Sequence, residues 1–185
     1  MKISPTELPE VLLIEPTVHR DDRGFFVETW HAERYAEAGL DAQFVQDNHS
    51  KSARGTLRGL HAQLAKPQGK LVRASQGEIL DVAVDIRPES PRFGKHVAVV
   101  LSADNFKQLY IPEGFAHGFC VISELAELQY KCTDLYDPTS EITVVWNDPA
   151  LGIEWPVEEP LLSKKDGEAR TLAAHGVDEL PRFPR

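Results

Sequence analysis

Polar residues without an evident structural duty gather in four places along the chain. They are Asp21-Asp22-Arg23-Gly24-Phe25-Phe26-Val27-Glu28, Gln46-Asp47-Asn48-His49-Ser50, the run from Arg58 to Lys70, and the run from Ile111 to Phe119. A strand-rich fold can bring such distant segments around one barrel mouth. Within Leu57-Arg58-Gly59-Leu60-His61-Ala62-Gln63, strict strand alternation puts Gly59, His61 and Gln63 on one face and Leu60 on the other. A histidine facing a barrel interior suits general-base work, because its pKa lies near neutrality. The plainer alternative is a core histidine satisfied by hydrogen bonds, and by pattern alone that outcome is the commoner one.

Three further side chains carry the same ambiguity. Tyr130 shares a strand face with Leu128 and Cys132, which fits a half-buried core tyrosine whose hydroxyl is bonded to a neighbour. Lys70, after Gln68-Gly69, could bind an anion, although a surface lysine is the commoner outcome. Asp166 closes Ser163-Lys164-Lys165-Asp166, the S-x-x-D form of a capping box. It could equally partner a histidine and fix its tautomer, but the local pattern favours the cap.

Pro112-Glu113-Gly114-Phe115-Ala116-His117 has the spacing P-x-G-x-x-H, which resembles the second signature of the cupin superfamily, where the histidine often binds a metal. The matching first signature would need a second histidine where Gln63 stands. Two separated histidines make a poor metal site when three or four ligands are usual, so the expectation is no metal and an acid–base role.

The elements that must position these residues are mostly strands. Val82, Val84 and Ile86 alternate with Asp81, Ala83, Asp85 and Arg87, a strand whose valines are expected to pack against another sheet. His96 to Leu101, Leu128 to Leu135 and Glu141 to Trp146 read as further strands, the last two joined by a turn at Asp137-Pro138. His31 to Ala38, stopped by Gly39, reads as a short helix, and the capping box opens a late one. Thirteen prolines and twelve glycines punctuate short segments, a rhythm that suits an all-β barrel or sandwich.

Bulk properties narrow the classes. A length of 185 residues suits one domain, residues 1–185, with a sizeable core. A net charge of −9 argues against general nucleic-acid binding, while leaving room for an anionic small ligand at a few local cations. Two cysteines without C-x-x-C spacing argue against a disulfide framework or a cysteine-rich metal site. No signal-peptide core or bilayer-length apolar run is present, so no membrane association and a cytoplasmic location are expected.

Taken together, the segments resemble the dTDP-4-dehydrorhamnose 3,5-epimerase family. The telling pieces are Phe44-Val-Gln-Asp-Asn-His-Ser50, Leu57-Arg-Gly-Leu-His61, Gly69-Lys-Leu-Val-Arg73, Asp81-Val-Ala-Val-Asp85, Gln108 to Phe119, and Trp146-Asn-Asp-Pro149. Departures are mild: Ala62 stands for a usual Phe, Tyr110 for a common Trp, and the stretch ahead of Tyr130 is slightly altered. The resemblance implies an all-β, cupin-like jelly-roll barrel with short flanking helices, forming a homodimer in which an N-terminal strand is often exchanged. It implies no cofactor, and a dTDP-linked 4-keto-6-deoxy sugar as substrate, inverted at C3 and C5.

By the same resemblance His61 is the base, Asp166 orients it, Tyr130 returns the proton from the opposite face, and Lys70 stabilises the oxyanion and contacts substrate. Arg23, Glu28, Gln46, Asp47, Asn48, Arg58, His117, Glu141 and Lys165 are implied substrate-binding positions. Arg58 falls out of alternation with His61, so a bulge near Gly59 is needed for both to point inward. The rival readings are a single-centre epimerase of another deoxysugar pathway and a non-catalytic sugar-nucleotide-binding cupin.

Overall fold

The computed structural model describes residues 1–182. Its strands are β1 (Lys2–Pro5), β2 (Leu12–Glu15), β3 (Val18–Asp21), β4 (Gly24–Val27), β5 (Gln46–Ala53), β6 (Leu57–Gln63), β7 (Lys70–Gln76) and β8 (Glu78–Asp85). They continue as β9 (His96–Ser102), β10 (Gln108–Ile111), β11 (Phe115–Val121), β12 (Leu125–Cys132) and β13 (Glu141–Thr143). Two short helices, α1 (Ala32–Glu37) and α2 (Lys164–Gly167), flank them.

The strands form two antiparallel sheets, a six-stranded one in the order β1-β2-β10-β7-β12-β5 and a five-stranded one in the order β13-β6-β11-β8-β9. A separate hairpin pairs β3 with β4. The arrangement is the expected cupin-like barrel. Among the described residues no helix is long and apolar enough to cross a membrane.

Each sheet buries one face against the other. Val72, Ala74, Leu109, Ile111, Ala126 and Leu128 of the larger sheet interdigitate with Ile79, Ala83, Val97, Leu101, Phe115 and Phe119 of the smaller one. Tyr130 packs against this inter-sheet core.

Val82, Val84 and Ile86 do not pack on the other sheet, contrary to the expectation from alternation. They lie on the outer face of the five-stranded sheet with Leu60, Ala62 and Ala116, covered by Val144, Leu151, Leu172 and Leu180 of the C-terminal segment. Alternation identifies an apolar face but not its cover, and here both faces of β8 are buried. Its polar face, Asp81 with Asp85, therefore points between the sheets. On the outer side of the larger sheet, α1 contributes Tyr35 to a third cluster with Ile14, Leu40 and Leu71.

Three strands end earlier than expected, β8 at Asp85 rather than Arg87, and β12 and β13 as follows. β12 stops at Cys132 because side chains take over from the ladder: the Thr133 hydroxyl accepts from Gly69 N–H at 2.7 Å, and Gln68 and Gln63 donate to the carbonyls of Asp134 and Leu135 at 2.8 and 3.0 Å. β13 ends at Thr143, although Val144 and Leu60 still exchange both backbone hydrogen bonds across the gap.

The β6–β11 pair contains the bulge that Arg58 required. His117 is opposite His61 and Phe119 is opposite Arg58, so Gly59 and Leu60 together face Gly118 alone. The extra residue changes the parity of β6, and both Arg58 and His61 turn inward. Gly59 has φ +134°, and a Cβ on it would lie 2.4 Å from Gly118 Cα. Only glycine fits there.

Candidate active site

The site sits at one mouth of the barrel, where the inward rows of both sheets meet. On the six-stranded sheet Cys132 is opposite Lys70 and Gln46, and Tyr130, one row deeper, is opposite Val72 and Asn48. On the five-stranded sheet Glu141 is opposite Gln63, and Thr143 is opposite His61. A cavity of about 250 Å³ between these rows is lined by Gln46, Asn48, His61, Lys70, Tyr130 and Glu141, among others. An adjoining groove, lined by Arg58, His61, Lys165 and Asp166, continues from it.

His61 and Asp166 form the central pair. Nε2 of His61 stands 2.6 Å from Oδ1 of Asp166, whose side chain is 3% exposed. Burial by itself would raise the Asp166 carboxyl, but the bond and charge of His61, the Ser163 bond and the charge of Lys165 hold it below its ordinary range. An ionised carboxylate only accepts, so Nε2 carries the proton and Nδ1 keeps its lone pair. Nδ1 is thus the basic nitrogen, 4.0 Å from Oε1 of Glu141.

The choice between cap and histidine partner resolves as both. The Asp166 backbone N–H donates to Ser163 Oγ at 3.1 Å and closes the N-terminus of α2. Its carboxylate leaves the capping box and turns to His61. Ser163 supplies an N-cap of the kind that contributes about 1 kcal/mol.

Tyr130 stands on the opposite wall from His61. Its hydroxyl makes no hydrogen bond among the described residues, where the core-tyrosine reading expects one. Burial raises its pKa first, the charge of a Cys132 thiolate adds to the rise, and the guanidinium of Arg58 works the other way. Arg58 reaches across the barrel to Ser52, donating to its hydroxyl from Nε and Nη2 at 3.3 and 3.2 Å.

Lys70 is not a surface lysine. It faces the cavity, and its ammonium has no hydrogen bond or ion pair among the described residues. Burial pulls its pKa down, while Glu141 and Asp81 act in the other direction. A desolvated cation facing a cavity without a fixed partner is suited to a charge that arrives with the ligand.

Glu141 and Lys165 join at 2.8 Å, and Tyr136 OH donates to the same carboxylate oxygen at 3.1 Å. Gln46 lies nearby, accepting from Tyr136 N–H at 2.9 Å and donating to Asn48 at 3.1 Å. His117 is buried behind the cavity wall, beside His61 on the adjacent strand.

Three implied binding residues are not brought to this cavity within the chain. Arg23 is on the β3–β4 hairpin, 91% exposed and paired with Asp21. Glu28 follows that hairpin and pairs with Arg34 of α1 at 2.8 Å. Asp47 points to the outer face of the larger sheet, where it pairs with Lys131 at 2.9 Å and borders a separate cavity of about 310 Å³. The period of a strand explains Asp47: its neighbours Gln46 and Asn48 face inward, so it cannot.

The sequence reading passed over Tyr136, Gln68, Cys132 and Asp81. A signal existed for Tyr136, which directly precedes the Asp137-Pro138 turn, and such turn tips at a barrel rim commonly carry binding groups. Among the described residues no group of three or more His, Cys, Asp or Glu side chains is gathered for a metal.

A barrel holding a hydrogen-bonded His–Asp pair on one wall and an unpartnered phenol and ammonium on the other defines an isomerase site of the proton-transfer class. Comparison with known proteins agrees. Residues 5–174 match the family model for dTDP-4-dehydrorhamnose 3,5-epimerase, and the chain belongs to that family of isomerases. It is 54% identical over 175 residues to the dTDP-4-dehydrorhamnose 3,5-epimerase of Pseudomonas aeruginosa, covering 94% of this chain and 97% of that one. A Neisseria gonorrhoeae relative of the same description is 54% identical over 185 residues, and the chain spans 56% of its length. A solved Legionella pneumophila 3,5-epimerase in complex with dTDP-4-keto-L-rhamnose superposes with a TM-score of 0.96 at 49% identity, covering 100% of this chain and 99% of that one.

Proposed function

We propose that the chain converts dTDP-4-dehydro-6-deoxy-D-glucose to dTDP-4-dehydro-L-rhamnose by inverting C3 and C5. The observation that carries this reading is the placement of His61 and Tyr130 on opposite sheets around one cavity. Inversion needs a base on one face of the sugar ring and an acid on the other, and a ring between the two walls meets both.

A hydrogen on carbon beside a ketone is acidic because the resulting carbanion delocalises as an enolate. His61 Nδ1 takes that proton, and Asp166 supports the imidazolium that forms. Lys70 stabilises the enolate oxygen, and Tyr130 delivers a proton from the other face. With its pKa raised by burial, the phenol stays protonated through neutral pH and gives up its proton only to a strong base such as the enolate. Solvent resets both groups before the second centre reacts.

Arg58, Lys165, Gln46, Asn48 and Glu141 are suited to the nucleotide: cations for the pyrophosphate, amides and a carboxylate for the base and sugars. Arg23, Glu28 and Asp47 lie off this cavity, and the hairpin bearing Arg23 exposes Phe25 and Phe26, at 58% and 69%. A homodimer in which one subunit lends this hairpin to the other accounts for Arg23 and Glu28 and for the exposed aromatics. The proposal includes a single epimerase domain over residues 1–185 and a cytoplasmic location, where two unpaired cysteines are at home.

The test is incubation of the purified protein with dTDP-4-dehydro-6-deoxy-D-glucose in deuterated water, followed by NMR at both carbons. Deuterium at C3 and C5, abolished by His61→Ala, is the expected result. Exchange at one carbon alone would establish a single-centre epimerase, and none would leave a binding module.

A further inference from the structure

Gln63 ends β6 on the inward face it shares with His61, lines the cavity and is 6% exposed. Its amide is nonetheless engaged within the chain. Oε1 accepts from the backbone N–H of Asp137 at 2.8 Å, while Nε2 donates to the carbonyl of Leu135 at 3.0 Å and to that of Lys66. Both amide protons and the oxygen thus have partners. A side chain so occupied is a poor ligand for substrate and a good clip for the backbone it holds.

That backbone crosses the mouth of the barrel. Residues 133–140 link β12 of the six-stranded sheet to β13 of the five-stranded one. From the smaller sheet Gln63 grips the run on either side of Tyr136. From the larger sheet Gln46 grips Tyr136 itself, accepting its N–H at 2.9 Å. Two inward glutamines on opposite sheets therefore fix one short strap. The strap aims Tyr136, a half-exposed residue of the cavity lining, whose hydroxyl reaches the Glu141 oxygen that also holds Lys165. Lys70 follows the loop that carries Lys66, but its own pairing with Ile111 and Cys132 fixes it independently of the Gln63 grip.

We propose that Gln63 is a positioning residue for the nucleotide end of the substrate: it pre-forms the strap, so that Tyr136 stands as an entrance wall beside Glu141 and Lys165 before the ligand arrives. The inference rests on the epimerase reading, which puts the nucleotide at those two residues. Gln63 touches no substrate and takes no part in proton transfer. It lowers the entropy lost on binding, because the loop and a large side chain are already ordered.

The test compares wild type, Gln63→Met, Tyr136→Ala and the double variant, by calorimetric titration with dTDP and by steady-state kinetics. Methionine keeps the length of the side chain and removes all three hydrogen bonds. In Gln63→Met, Kd for dTDP and KM rise on the order of 10-fold while kcat stays within about threefold, the pattern of lost binding without lost chemistry. Tyr136→Ala weakens dTDP at least as much. The double variant binds no more weakly than Tyr136→Ala alone, since Gln63 acts through that ring. Amide hydrogen exchange of ligand-free wild type shows the Tyr136 and Asp137 N–H groups protected.

Unprotected Tyr136 and Asp137 amides in wild type would overturn the proposal, as would a Tyr136→Ala protein that binds dTDP like wild type. Both results count even if Gln63→Met fails to fold. Additive losses in the double variant, or a fall in kcat with KM and Kd unchanged, would do the same. Wild-type protein that binds dTDP but exchanges no deuterium overturns the epimerase reading and leaves the strap to the titrations. Wild-type protein that does not bind dTDP overturns both. Wild-type exchange with dTDP binding indifferent to Gln63→Met overturns this inference alone.

Discussion

His61 and Asp166 lie 105 positions apart in the sequence and meet at 2.6 Å, the base on a barrel strand and its partner on a four-residue helix. The geometry fixes which imidazole nitrogen is basic. In Asp166→Asn the amide can present either an acceptor or a donor to Nε2, and the tautomer is no longer enforced. We expect kcat to fall on the order of 10⁴-fold, as in hydrolase triads that lose this carboxylate, with KM nearly constant. Steady-state kinetics checks it; a loss confined to KM would contradict the assignment.

The same carboxylate links stability to pH. Its folded-state pKa lies below the ordinary 3.8, so the folded form binds protons less readily than the unfolded one. The contribution is therefore complete above about pH 4 and fades as pH falls through the lowered value. Acid unfolding followed by circular dichroism should show a shallower acid limb in Asp166→Asn than in wild type.

Lys70 sets stability against chemistry. Its ammonium is desolvated without a fixed partner, so Lys70→Met should raise stability by about 0.5–2 kcal/mol. Turnover should drop by about 10²–10³-fold as oxyanion stabilisation is lost. Denaturant midpoints and kcat on the same preparation test both halves, and a destabilised Lys70→Met would refute the unpaired-cation account.

Gly59→Ala tests the bulge. The added methyl meets the Gly118 backbone, and φ at this position is one that alanine rarely adopts. A loss of about 3 kcal/mol or more is expected from urea unfolding, together with impaired activity as Arg58 and His61 lose their common face. A neutral substitution would mean that the bulge is not required.

Much of the barrel was legible because strands announce themselves by period. β9 begins where the sequence puts it, β8 and β12 overlap their expected spans but start three residues earlier, and Arg58 with His61 on one face demands the bulge that β6 contains. What alternation lacks is the identity of the cover, so the valines of β8 were assigned to the wrong neighbour. The His61–Asp166 contact was not legible from local pattern, because the capping box accounts for Asp166 by itself and its carboxylate is redirected by tertiary structure. Asp81 was hidden for the opposite reason: in a strand that reads as half-solvated, an aspartate needs no explanation, and only burial on both faces gives it one. Arg23 and Glu28 were legible by family resemblance alone, and a single chain holds them away from the cavity.

The distance in sequence between His61 and Asp166 also imposes an order in time. A ribosome delivers every strand of both sheets before it reaches the four-residue helix, so the carboxylate that arms the base emerges after the barrel strands. A nascent chain can therefore close most of its barrel while still inert. The C-terminal segment that bears Asp166 also carries Val144, Leu151, Leu172 and Leu180, which seal the outer face of the smaller sheet. Competence for proton transfer and completion of the fold thus arrive together, after the last strand.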